Sequence, residues 1–104
     1  MLIGIIALFI MDEFKTYLKN PSVVFTELDD GAVLLNLDTK YYFNLNETGL
    51  RIWQIMEDLQ SPLEIAKNLA NEYEIDVERA KASVVGLMGQ LEKEELIIPN
   101  KGGD

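Results

Sequence analysis

Two kinds of hydrophobic pattern divide the chain. From Ser22 to Leu45 apolar residues come in short β-branched and aromatic runs, whereas from Leu50 onward they recur every three or four positions. "SVVFTEL" reads as a first strand. "DDG" at 29–31 is a hairpin signal, because Asp30-Gly31 tolerates the positive φ of a tight turn. "AVLLNL" is a second strand, with Val33, Leu35 and Leu37 alternating, and "DT" turns the chain into a third. That third strand, Lys40 to Leu45, sets Tyr41, Phe43 and Leu45 on one face and Lys40, Tyr42 and Asn44 on the other. A three-stranded antiparallel meander is expected.

The second half reads as three helices. Asn46 is a good N-cap, and Leu50, Ile52, Trp53 and Met56 supply an apolar stripe to about Leu59. "SPLE" at 61–64 starts the next helix, with Ser61 as cap, Pro62 at the first helical position and Glu64 closing a capping box. Leu63, Ile65, Ala66, Leu69, Ala70 and Tyr73 form its stripe. Asp76 caps a third helix carrying Val77, Ala80, Val84, Leu87, Met88 and Leu91. "ELIIP" ends it as a short extended segment. Ahead of the strands, "DEFKTYLKN" at 12–20 suggests a short amphipathic helix grouping Phe14, Tyr17 and Leu18, which Pro21 stops. The fold class is therefore α+β: a β-β-β-α-α-α chain in which a small sheet leans on a three-helix bundle, the parts of a winged helix-turn-helix. Residues 1–20 form an extension, 21–98 the domain and 99–104 a solvated tail.

Two features exceed what a core requires. The third strand ends the meander, so one row of its backbone groups lacks a partner, and past Lys40 it has no lysine, proline or bulge to blunt that edge. Either a neighbouring helix or the N-terminal segment covers such an edge, or a peptide strand adds there. In the third helix, Ala82, Gly86 and Gly89 lie at i, i+4 and i+7, leaving one face nearly bare. Each interior glycine costs roughly 1 kcal/mol relative to alanine. Close packing by another helix is one explanation; the other is a groove between that face and the third strand. Gly49, one turn into the first helix, lets the strand–helix corner fold tightly, with Trp53 as a core anchor.

Composition narrows the chemistry. One domain accommodates the 104 residues, and neither cysteine nor histidine occurs. Thiolate and imidazole metal sites and the usual nucleophile–base pairs are thereby removed, and no cofactor is expected. No phosphate loop or paired catalytic carboxylates stand out. Eighteen acids against nine bases give a net charge of −9, with the bases scattered among acids, which disfavours nucleic acid. The lack of cysteine fits the cytoplasm. "MLIGIIALFI" is about half the roughly 20 residues of a membrane span and lacks the basic start of a signal peptide. An upstream start codon before Met11, or a packed or self-associating helix allowing a homodimer, is favoured over a peripheral membrane foot.

"DDGAVLLNLDTKYYFNLNETGLRIWQIM" followed by "SPLEIAKNLANEYEIDVERAKASVVGLMGQLEKEELI" resembles the PqqD-like family of peptide-binding modules, from about Val23 to Ile97. The most specific part is the run "VLLN…YYFNLNETGLRIW". The resemblance implies a winged helix-turn-helix-like fold without catalysis of its own. It implies binding of the leader of a ribosomally made precursor peptide, presented to a modifying enzyme such as a radical-SAM enzyme or a lasso-peptide protease or cyclase. In that family the leader adds as a strand beside the third strand, with the third helix as the other wall. Carried over, the positions are Lys40, Tyr41, Tyr42, Phe43, Asn44 and Leu45, with Ala82, Val85, Gly86 and Gly89 facing them. Lys40 stands where the family often has glycine, and "MLIGIIALFI" has no counterpart. A winged-helix DNA-binding module and a self-associating module are the rival expectations.

Overall fold

The structure, a computed structural model, describes residues 12–58 and 61–100. In chain order, β1 (Tyr17–Lys19), β2 (Val23–Leu28), β3 (Gly31–Asn36) and β4 (Tyr42–Leu45) come first. Then α1 (Glu47–Ile55), α2 (Pro62–Tyr73) and α3 (Val77–Lys93) precede β5 (Ile97–Pro99). β2, β3 and β4 form the expected antiparallel meander in the order β2-β3-β4. The apolar run at 1–10 and the last four residues lie outside the described residues.

The segment expected as a helix at 12–20 is instead β1, which pairs antiparallel with β5 from Tyr17↔Pro99 to Lys19↔Ile97. Tyr17 is buried, while Phe14 and Leu18 face solvent, so the three share no apolar stripe. Its partner lies some eighty positions away in the chain, beyond the reach of any local pattern.

The sheet buries a different row from the one its alternation suggested. Ala32 and Leu34 are fully buried, Val33 and Leu35 are half-buried on the opposite face, and Leu37 is exposed. Both rows of β3 are apolar, so helix packing decides which is inside. Asp29 and Asp30 form the hairpin turn between the paired Leu28 and Gly31. Neither has a positive φ. Gly31 does, at φ 159, and it is needed for a second reason as well: a Cβ there would sit 2.0 Å from the Leu45 backbone oxygen. β4 begins at Tyr42 rather than Lys40, because Lys40 turns the chain in a left-handed conformation with φ 71.

The helices cover the inner face of the sheet. Ile52, Trp53 and Met56 of the α1 segment meet Ile65, Ala66 and Leu69 of α2 and Ala80, Val84, Met88 and Leu91 of α3. The caps expected at Asn46 and Ser61 form, accepting from Gly49 N–H and Glu64 N–H. Asp76 occupies the N-cap position without a side-chain cap bond. α1 ends at Ile55, short of Leu59. Buried Asn36 ties the sheet to the end of α3: its Nδ2 donates to the Glu94 and Glu95 carbonyls at 3.3 and 3.1 Å. Its Oδ1 accepts from Asp38 N–H at 2.8 Å and Thr39 N–H at 3.2 Å. One side chain thus fixes both the β3–β4 turn and the position of α3 relative to the sheet.

Candidate peptide-binding edge and groove

Among the described residues β4 pairs only with β3, and none of them covers its outer edge with a strand. Two backbone bonds set which of its groups face outward. Leu37 N–H donates to Ser22 C=O, and Asn36 N–H donates to Tyr41 C=O, each at 3.0 Å. In an antiparallel ladder bonded and non-bonded pairs alternate. Given the register Leu34↔Phe43 and Ala32↔Leu45, Phe43 and Leu45 direct their backbone groups to β3. The N–H and C=O of Tyr42 and Asn44 therefore point to the open edge.

Side chains follow the opposite logic. Phe43 packs half-buried against the core and Leu45 is buried, whereas Tyr41 and Tyr42 are each 70% exposed and Asn44 is exposed. A strand added beside β4 would place side chains opposite Phe43 and Leu45 on the inner face, toward α3. There the structure has a cleft of about 540 Å³. Phe43, Asn44, Leu45 and Asn46 form one wall, Leu87 and Gln90 of α3 the other, and Leu28 and Asp30 close the hairpin end. A neighbouring cleft of about 350 Å³ shares Asn46, Gly49, Leu87 and Gln90 and extends to Thr48 and Ser83.

The tight strand–helix corner keeps this cleft open. Asn46 is still extended, with φ −80 and ψ −174, yet its carbonyl already accepts from Leu50 N–H at 2.8 Å. Its Oδ1 accepts from Gly49 N–H at 2.8 Å. A Cβ on Gly49 would meet Leu45 Cδ2 at 3.2 Å and Asn46 Oδ1 at 3.4 Å. Glycine lets α1 start against the strand it has just left.

On α3 the cleft row is Ser83, Leu87 and Gln90, which successive 100° steps place beside the buried stripe of Ala80, Val84 and Leu91. Ala82, Gly86 and Gly89 lie one row further, on the side away from the core. A Cβ at Gly86 or Gly89 would have nothing within 4 Å, so no described helix packs there. Val85 is half-buried and packs against the core. Lys40 is exposed in the turn before the strand. The sequence pattern did not single out Ser83, Leu87 and Gln90 as cleft residues; Leu87, expected in the core stripe, packs half-buried against the core and lines the cleft as well. The i, i+4, i+7 spacing of the three was the available signal.

Ion pairs lie elsewhere. Lys19 Nζ sits 4.5 Å from the Trp53 ring centroid and bonds Glu57 at 2.7 Å. Arg51 Nε bonds Glu72 at 2.8 Å, which holds the Glu72 carboxyl below the ordinary glutamate value. Among the described residues no group of acids is placed to hold a metal ion, and no helix is long and apolar enough to cross a membrane.

No curated protein matches the chain. Two solved structures do. One is described as "TbiB1 in Complex with the TbiA(beta) Leader Peptide", 31% identical, with a TM-score of 0.70, covering 84% of this chain and 99% of that one. Another, "Lasso peptide synthetase B1 complexed with the leader peptide", is 28% identical with a TM-score of 0.70, covering 81% of this chain and 99% of that one. The family model for coenzyme PQQ synthesis protein D (PqqD) matches residues 31–97, from the start of β3 to the start of β5. With most of the domain matched and the same fold in both solved relatives, the chain belongs to the PqqD family.

Proposed function

We propose that the protein is a non-catalytic chaperone for a ribosomally made precursor peptide. The leader of that peptide adds as a strand to β4 and is presented to a modifying enzyme. One observation carries this reading: an open strand edge, with the Tyr42 and Asn44 backbone groups facing out, runs alongside a cleft walled by α3. Strand addition supplies main-chain bonds, and the cleft supplies selection among side chains. Both solved relatives carry leader peptides, which supports the same ligand class here. They favour a lasso-peptide protease or cyclase over a radical-SAM enzyme as the partner. The net charge of −9 speaks against the DNA-binding alternative. Peptide binding is assigned to residues 21–98, in the cytoplasm, with residues 1–10 as a route to a homodimer.

Backbone parity gives the test. Tyr42→Pro removes an N–H that faces outward, so the domain should fold. Its affinity for a synthetic leader, from the precursor encoded beside its own gene, should fall at least about fivefold. Phe43→Pro removes an N–H that bonds β3 and should destabilise the sheet. Wild-type affinity in a folded Tyr42→Pro variant would exclude strand addition on this edge.

A further inference from the structure

The cleft has an asymmetry that strand addition alone does not use. Its β4 side and its α3 side are apolar or neutral, with Phe43, Leu45, Leu87 and Gln90. Among the described residues that line it, only Asp30, at the hairpin tip, is ionisable. Asp30 is exposed and takes part in none of the ion pairs among the described residues. Gly31 presses this tip against the end of β4, since it packs too closely on the Leu45 carbonyl to admit a Cβ. A strand running along β4 past Leu45 therefore meets the Asp30 carboxylate directly after its last cleft-facing side chain.

Position and sign together specify a ligand. Side chains opposite Phe43 and Leu45 are two residues apart in the added strand, and both enter an apolar space. The next one or two positions face the Asp30 carboxylate, with Asp29 beside it in the same turn, on a protein of net charge −9. An acid there would be repelled by the site and by the whole field, whereas a base would be drawn by both. We propose that Asp30 selects a lysine or arginine in the bound peptide, one or two positions beyond the side chain that lies opposite Leu45. This deepens the reading of β4 as the leader-binding edge and rests on it.

A displayed library of random 12-residue peptides, selected against the full chain, tests the assignment without knowledge of the natural leader. Three targets are used: wild type, Asp30→Lys and Tyr42→Pro, each checked for folding by Trp53 fluorescence. Wild type should enrich peptides with two apolar residues separated by one position and a base at fixed spacing beyond them. Asp30→Lys should lose that base and favour an acid at the same place. In a synthetic winner, replacing the base by glutamine should weaken binding to wild type about two- to fivefold, the range of an exposed ion pair. The difference should shrink at high salt and vanish in Asp30→Lys. Peptides that depend on Tyr42 yet show no preference for a base, or the same preference with Asp30→Lys, would overturn the role of Asp30 and leave strand addition standing. Enrichment unaffected by Tyr42→Pro, or none at all, would overturn both.

Discussion

Four glycines with known surroundings allow substitutions of opposite sign to be worked out beforehand. At Gly31 the obstacle to a Cβ is the Leu45 carbonyl oxygen at 2.0 Å, which is backbone and cannot rotate away. Relief needs a movement of about 1 Å at the end of β4, which strains a packed corner at roughly 1–3 kcal/mol. The Ala32–Leu45 ladder bond is lost as well, at about 1 kcal/mol. The lower entropy of an unfolded chain with alanine returns about 0.4–1 kcal/mol. Gly31→Ala should thus destabilise by about 2–3 kcal/mol, lowering Tm by roughly 10–20 °C in a domain of this size. At Gly86 and Gly89 a Cβ meets nothing within 4 Å, so only helix propensity acts. Each alanine there should stabilise by about 0.5–1 kcal/mol. Gly49 falls between, because its nearest obstacle is the end of a leucine side chain at 3.2 Å, and alanine should be close to neutral. Urea and thermal unfolding followed by the single tryptophan, Trp53, reads all four. A Gly31→Ala variant as stable as wild type would refute the close approach. A loss of stability in Gly86→Ala would mean that something packs on that face after all.

Three further outcomes can be checked on the same instruments. Lys40 holds φ 71, where a non-glycine residue is strained, so Lys40→Gly should be more stable than Lys40→Ala by up to about 1 kcal/mol; equal Tm values would contradict this. Asn36→Leu strands the Asp38 and Thr39 N–H groups and removes a donor from the Glu94 carbonyl, while the Glu95 carbonyl keeps Asn20 Nδ2 at 2.8 Å; it should cost about 2–4 kcal/mol in chemical denaturation. The Glu72 carboxyl is held below its ordinary value by its hydrogen bond to Arg51. Its contribution is therefore present above the unfolded-state value and is lost as pH falls through the lower folded-state value. Wild type should lose stability relative to Arg51→Gln between about pH 5 and pH 3, and parallel pH curves for the two would show the pair to be without effect.

The sequence made the open edge legible because an edge announces itself by what it lacks, and "YYFNL" has no blunting residue. The helix starts were legible for a local reason: Asn46 and Ser61 serve N–H groups three residues away. β1 was not legible, since three residues cannot state that their partner is Ile97–Pro99. The inner row of β3 was also hidden, because Val33 and Leu35 are as apolar as Ala32 and Leu34 and only the helices choose between them. The bare face of α3 could be read from Ala82, Gly86 and Gly89, but not whether anything lay against it. The cleft row of Ser83, Leu87 and Gln90 depends on how far α3 is rotated about its axis. That rotation is set by the buried stripe and by the hold of Asn36 on the helix end.

β4 is not the sole strand with a free side, and the comparison explains why a peptide would choose it. β2 is the other edge of the same sheet among the described residues. By the same parity its Val23, Phe25 and Glu27 backbone groups face outward, and Val23 N–H is already taken by the Asn20 carbonyl at 3.0 Å. The inner face beside β2 is also occupied. Phe25 stacks on Trp53 with ring centroids 6.5 Å apart, and Lys19 caps the same indole while bonding Glu57. A strand added at β2 would set its inward side chains against that filled corner. At β4 the corresponding space is the cleft beside Leu87. Apart from the Val23 N–H the two backbone edges are chemically alike, so most of the preference must come from the side-chain space next to each. Filling the cleft is then more informative than damaging the edge. Leu87→Trp should leave the β4 backbone groups free, yet reduce peptide affinity more than Phe25→Ala does, by tenfold or more if one apolar side chain is excluded. The reverse order of effects, measured on one peptide by fluorescence anisotropy, would assign binding to β2.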